Sequence, residues 1–139
     1  MNDTPQPRRL GRSISALLAG FVIGAVLSLA TDEILHLTHV FPPWGERNSG
    51  AVLLLAWAYR VPYNILGSYV ITRLAPNRPM LHAMIGGFVG LVLSIAGAAA
   101  TWNRDLGPHW YPIAVAAIAL PCAWLGGALR VRQMRTEEI

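Results

Sequence analysis

Apolar residues in this chain neither alternate nor recur at helical spacing over long stretches. They run together in four blocks separated by polar breaks. Ile14–Ala30 reads ISALLAGFVIGAVLSLA, 17 residues without a charge. Ala51–Leu74 is interrupted by Arg60 and ends on Arg73-Leu74. Met80–Trp102 and Trp110–Leu129 contain no Asp, Glu, Lys or Arg. An α-helix needs about 20 predominantly apolar residues to cross about 30 Å of hydrocarbon, and each block is near that length. The first reaches it by continuing through Thr31–Leu35, TDEIL. The pattern therefore predicts an all-α integral membrane protein with four transmembrane helices, at about 13–38, 51–74, 80–102 and 109–130. They form a single four-helix membrane domain over residues 13–132, with short cytoplasmic tails at 1–12 and 133–139. A soluble bundle of such helices, apolar all round, would need a larger polar shell than this chain carries.

Composition agrees: 54% of the residues are hydrophobic and 13% charged, against about 45–50% and about 25% in soluble domains. Charge then orients the chain. All eleven cationic residues are Arg. With a cytoplasmic N-terminus the inner side holds Arg8, Arg9, Arg12, Arg73, Arg78, Arg130, Arg132 and Arg135, and the outer side only Arg47 and Arg104. Eight against two is the asymmetry expected of a bacterial inner-membrane protein with both termini inside. The pI near 10 follows from that topology and does not imply nucleic-acid binding. The inner arginines also suit anionic lipid headgroups. Trp44, Trp102, Trp110 and Tyr111 cluster at the outer ends of spans, as an aromatic belt does. The lone Cys122 permits no intramolecular disulfide.

The first block competes with a signal-peptide reading, because a basic start and an apolar run precede Ser28-Leu29-Ala30, a small-residue cleavage pattern. We read it as a retained span. Its 17-residue uncharged run exceeds the usual apolar core of about 7–15, and apolar residues resume at Ile34, Leu35 and Leu37.

Gly20–Ala30, GFVIGAVLSLA, matches Gly87–Ala96, GFVGLVLSIA, once Ile23 is omitted. Pro62–Arg73, PYNILGSYVITR, and Pro121–Arg132, PCAWLGGALRVR, share Pro, Leu-Gly and a terminal Arg. Two matches in the same order predict two tandem related hairpins, a parallel repeat. Polar positions of the first copy fall on apolar ones in the second: Arg60 and Asn64 align with Ala119 and Ala123. A site in one copy is therefore expected in the first. Gly20, Gly24 and Ser28, and likewise Gly86, Gly90 and Ser94, recur every four residues, which lets helix backbones approach. The repeat predicts that these two stripes pack on each other. Pro62 and Pro121 remove helix donors and predict kinks.

Candidate chemistry concentrates in TDEILHLTHVFPPWGER, residues 31–47. On a continuing helix Asp32, His36 and His39 share one face. With Glu33 and His109 they offer a Zn²⁺-type donor set at the outer face. The simpler reading is a helix entering the polar interface, and no cofactor is predicted. Arg60 is the costly residue: an arginine at depth costs about 2.5–3.5 kcal/mol on insertion scales unless it snorkels or pairs. Asp32 or Glu33 on the adjoining span is its expected partner, with Tyr59, Tyr63 and Asn64 beside it. The sequence contains no nucleophile–base pair, phosphate-cradling glycine loop or haem motif.

The pattern TDEILHLTHVFPP, AYRVPY, LAPNRPMLHA, TWNR, WYPIA and PCAWLGG resembles small uncharacterised four-span proteins of bacterial inner membranes. The likeness covers nearly the whole chain and implies the fold but no activity. Small multidrug transporters also have four spans but carry an isolated Glu in the first, which this chain lacks; four-span thiol oxidases need more than one cysteine. The expected function is that of a non-catalytic membrane protein, a homo-oligomer or an accessory subunit of a larger complex. A small transporter or channel with a polar pocket at Asp32 and Arg60 is the alternative, and an outer-face metal protein the weaker one.

Overall fold

The structure, a computed structural model, describes residues 7–138. It is all-helical, with four helices: α1 (Pro7–Leu37), α2 (Gly50–Leu74), α3 (Pro79–Thr101) and α4 (Trp110–Glu137). Their boundaries have local causes. Ser49 caps α2, its hydroxyl accepting from the Val52 N–H at 3.3 Å. The N–H of Ala75 still bonds the Ile71 carbonyl, and Pro76 then prevents continuation. Pro79 starts α3, where its missing N–H costs nothing. Pro62 and Pro121 lie inside α2 and α4, which continue through them. α4 runs past the last apolar block through Arg130, Arg132 and Arg135. Arginine is a good helix former and suits a helix C-terminus, so the segment expected as a tail at 133–139 is helical as far as Glu137. α1 likewise begins inside the expected N-terminal tail, of which residues 1–6 lie outside the described residues.

Three helices, α1 over Arg9–Leu37, α3 and α4, are long and apolar enough to cross a membrane. α2 is comparably long at 25 residues. Tyr59, Arg60, Pro62, Tyr63 and Asn64 in its middle keep it out of that set. The apolar surface remains outward. Of the most apolar stretches, only 11% of the residues in α1 and 22% in α4 are buried within the chain, which is the arrangement of helices solvated by lipid.

α1 packs on α2, α2 on α4 and α4 on α3, while α1 touches α3 only sparsely and α4 not at all among the described residues. The expectation that the stripes of α1 and α3 pack together is therefore corrected. A Cβ at Gly20 would lie 2.5 Å from the Gly67 carbonyl oxygen, so α1 makes its closest approach to α2. Gly86 faces the Ile71 side chain, and Gly90 only the distant edge of Phe21. Ile71, Leu17 and Phe21 thus fill or bound the space in which the stripes would have met. α4 closes on α2 at Gly126, where a Cβ would stand 2.5 Å from the Ile65 carbonyl oxygen. It closes on α3 where Gly87 meets Ala123 and Gly127 meets Ala83. By the sequence alignment Gly87 matches Gly20, yet Gly20 meets Gly67 whereas Gly87 meets Ala123, the counterpart of Asn64. The two hairpins close about one helical turn apart.

Polar bonds lock the joints. Ser68 donates to the Ala123 carbonyl at 2.7 Å, and Trp57 to the Ala114 carbonyl at 3.2 Å, tying α2 to α4. His82, buried, bonds the Ser13 hydroxyl at 2.8 Å and the Arg78 carbonyl at 3.1 Å, tying the starts of α1 and α3. Across the opposite end Arg47 pairs with Asp105, and the Asn48 N–H donates to the Leu106 carbonyl at 2.8 Å.

Candidate functional site

Asp32 lies five residues before the end of α1, and Arg60 ten residues after the start of α2. At 1.5 Å per residue these are about 8 Å and about 15 Å from the neighbouring helix ends. Side chains lean toward a helix N-terminus, so Arg60 extends toward the end of α2 where Asp32 waits on the antiparallel α1. Arg60 Nη2 donates to Asp32 Oδ2 at 2.6 Å, and the Tyr59 hydroxyl donates to Asp32 Oδ1. Arg60 Nη1 reaches the Tyr59 oxygen at 3.3 Å. The guanidinium also lies 5.3 Å from the Tyr59 ring centroid and 6.0 Å from that of Tyr111 on α4, within cation–π range. Asp32 is 6% exposed. One carboxylate thus takes up the arginine's charge in a charge-assisted bond, and aromatic faces surround the remainder.

Of the two carboxylates expected as partners, Asp32 is used and Glu33 is exposed. Tyr63 stands one turn deeper, its hydroxyl 2.8 Å from the Thr31 hydroxyl, which donates to the Leu27 carbonyl. Asn64 belongs to a neighbouring cavity rather than to the pair. Tyr59 and Tyr111 complete the cluster. Tyr59 was legible as a neighbour of Arg60; Tyr111 carried only an aromatic-belt signal, and packing of α4 on α2 brings it in.

The histidines do not converge. α1 ends at Leu37, and His39 adopts φ 62°, a left-handed turn in which the N–H groups of Val40 and Phe41 both bond the Leu35 carbonyl. His39 therefore terminates the helix and leaves the expected Asp32–His36–His39 face. His36 bonds its own Asp32 carbonyl at 2.7 Å and stacks on Trp44 with centroids 3.8 Å apart. His109 stacks on Trp102 at 4.0 Å. Among the described residues no three His, Cys, Asp or Glu side chains are grouped as metal ligands, so the expected His36, His39 and His109 donor set is not assembled. Helix termination and ring stacking orient each ring separately.

Below the pair, a cavity of about 250 Å³ is lined by all four helices. α1 contributes Gly20, Gly24 and Ser28; α3 contributes Gly86, Gly90 and Ser94; α2 brings Arg60, Tyr63 and Asn64 to its wall. The stripes expected to touch instead face this space. A second cavity of about 340 Å³ lies under the α3–α4 loop, beside His109 and Tyr111, and shares Ser94 and Val115 with the first. Arg60 therefore both pairs with Asp32, holding α1 to α2, and belongs to the wall of the central cavity. No family model, curated protein or solved structure matches this chain.

Proposed function

We propose that this chain is a non-catalytic integral protein of a bacterial inner membrane, crossing it four times with both termini in the cytoplasm and serving as a subunit of a homo-oligomer or larger membrane assembly. Treating α2 as the fourth span is supported by its length of 25 residues, about 37 Å, and by the pairing of its one central charge with Asp32. The two hairpins are read as tandem relatives on the sequence match alone. The observation that carries the subunit reading is the sparse contact between α1 and α3. Together they expose large apolar residues along their length, among them Leu18, Val22, Val26, Phe88, Val92 and Ile95. The short loops offer partners little other surface.

Purification in mild detergent followed by mass determination tests this. A stoichiometric second copy or partner is expected, and a bare monomer under every mild condition overturns it. A transport reading has one observation in its favour: Arg60, Tyr63 and Asn64 line the central cavity, and Ser94 and Val115 connect its lining to the second one. Reconstituted vesicles decide between the two. Anion flux lost in Arg60→Ala, with folding retained, replaces the subunit reading, whereas absence of flux in the wild type leaves it standing.

A further inference from the structure

At the end of the bundle opposite the Asp32 pair, the seam between α2 and α4 carries concentrated positive charge. The described residues at that end of the bundle include Arg73 on α2 and Arg130, Arg132 and Arg135 on α4, with Arg9 and Arg12 on α1 and Arg78 before α3, against Glu137 and Glu138. Arg130 lies 20 residues after Trp110, and Arg73 lies 23 after Gly50. At 1.5 Å per residue that is about 30 Å and about 35 Å from the other helix ends, one hydrocarbon thickness away. On the four-span reading proposed above, on which this inference rests, both sit at headgroup depth. The seam is fixed by the Tyr69 hydroxyl, which donates to Gln133 Oε1 at 2.5 Å and accepts from Arg73 Nη1 at 3.5 Å. Arg73 is one turn beyond Tyr69 on α2, and Arg130 one turn before Gln133 on α4, so the two arginines flank one junction.

Arg130 is incompletely satisfied. Its side chain is 17% exposed, and its Nη1 meets only the exposed Glu137 carboxylate, at 3.4 Å. Its Nε is the one buried side-chain nitrogen or oxygen without a hydrogen-bond partner among the described residues. A buried unpaired donor is unfavourable, and a guanidinium edge matches two oxygens of a phosphate.

We infer that the α2–α4 junction binds the phosphate of an anionic phospholipid, with Arg130 contacting it side-on through its Nε–Nη2 edge, beside the Nη1 that meets Glu137, and Arg73 contacting it from α2. The headgroup satisfies the Arg130 Nε–H, and the acyl chains lie along the exposed apolar flanks of the two helices, where Leu66 and Leu129 project. Basic junctions at a membrane surface favour such headgroups.

The test is lipid retention by the full chain in detergent, measured by native mass spectrometry after equilibration with phosphatidylglycerol or phosphatidylcholine. Wild type is expected to prefer phosphatidylglycerol at least tenfold. Arg73→Gln/Arg130→Gln reduces that preference to within twofold of none, Glu137→Gln raises it, and Arg135→Gln changes it less than twofold. No preference in the wild type, or an equal loss in Arg135→Gln, overturns the site. Arg130→Lys keeps the charge and removes the side-on edge, so it serves if the double variant does not fold. A loss of at least threefold is expected from it, and undiminished retention overturns the Arg130 contact. Millimolar inorganic phosphate leaves lipid retention unchanged; displacement by it overturns the lipid as the source of the phosphate.

Discussion

Arg60 is tolerated in the middle of α2 because Asp32, Tyr59 and Tyr111 share its surroundings. The balance is asymmetric: a buried ion pair adds little over a well-packed apolar pair, but removing one member leaves an uncompensated charge. Asp32→Asn is therefore expected to destabilise the protein by about 3–5 kcal/mol, read as a lower midpoint in detergent unfolding. Asp32→Asn/Arg60→Met recovers most of that loss, and a double variant as unstable as the sum of the two single ones refutes the coupling. The outer pair Arg47–Asp105 differs, with side chains 55% and 78% exposed. Arg47→Ala should cost less than about 1 kcal/mol in the same assay.

At the scale of helices, the small-residue stripes divide by what they touch. Gly20 stands where a Cβ would collide with the backbone of α2 at Gly67, whereas a Cβ at Gly24 would have its nearest neighbour at 3.8 Å and one at Gly90 at 3.9 Å. Gly20→Ala is expected to destabilise by roughly 1–3 kcal/mol, the usual cost of overpacking. Gly24→Ala and Gly90→Ala should be neutral or stabilising by up to about 1 kcal/mol, since alanine is the better helix former. Equal losses at all three positions would mean that α1 and α3 do pack stripe against stripe. Helix existence was legible in the sequence because an apolar run of that length has few other solutions in lipid. Partner choice was not. Gly67, Gly87, Gly126 and Gly127 approach a neighbouring helix closely, as Gly20 does, yet in sequence they look no different from Gly24 or Gly90, since glycine spacing says that a face is small and not what stands opposite.

For the whole molecule, alternating direction through four helices brings the starts of α1 and α3 and the ends of α2 and α4 to one side, as the His82–Ser13 and Tyr69–Gln133 bonds require. In a Cys122→Ala background, a cysteine at Glu46 and one at Thr136 are expected to label with impermeant reagent from opposite faces of oriented vesicles. Labelling of both from the same face would show that α2 does not cross.

Some of this follows from residue order alone. Long uncharged runs require burial or lipid, and arginine placed at one set of ends predicts an orientation, because both expectations depend on composition over twenty residues and not on contacts. The need for Arg60 to find a carboxylate was likewise legible, since an unpaired charge at that depth is too costly, and Asp32 was in reach on the adjoining helix. Tertiary structure alone decided the rest. It chose Asp32 over Glu33 by the rotation of α1, ended that helix before His39, and drew Tyr111 beside the guanidinium. It set the stripes of α1 and α3 around a cavity because α2 and α4 pack on each other and hold α1 and α3 apart. These outcomes turn on rotations and offsets of about one helical turn, which local sequence leaves nearly equal in energy and only simultaneous packing of all four helices separates.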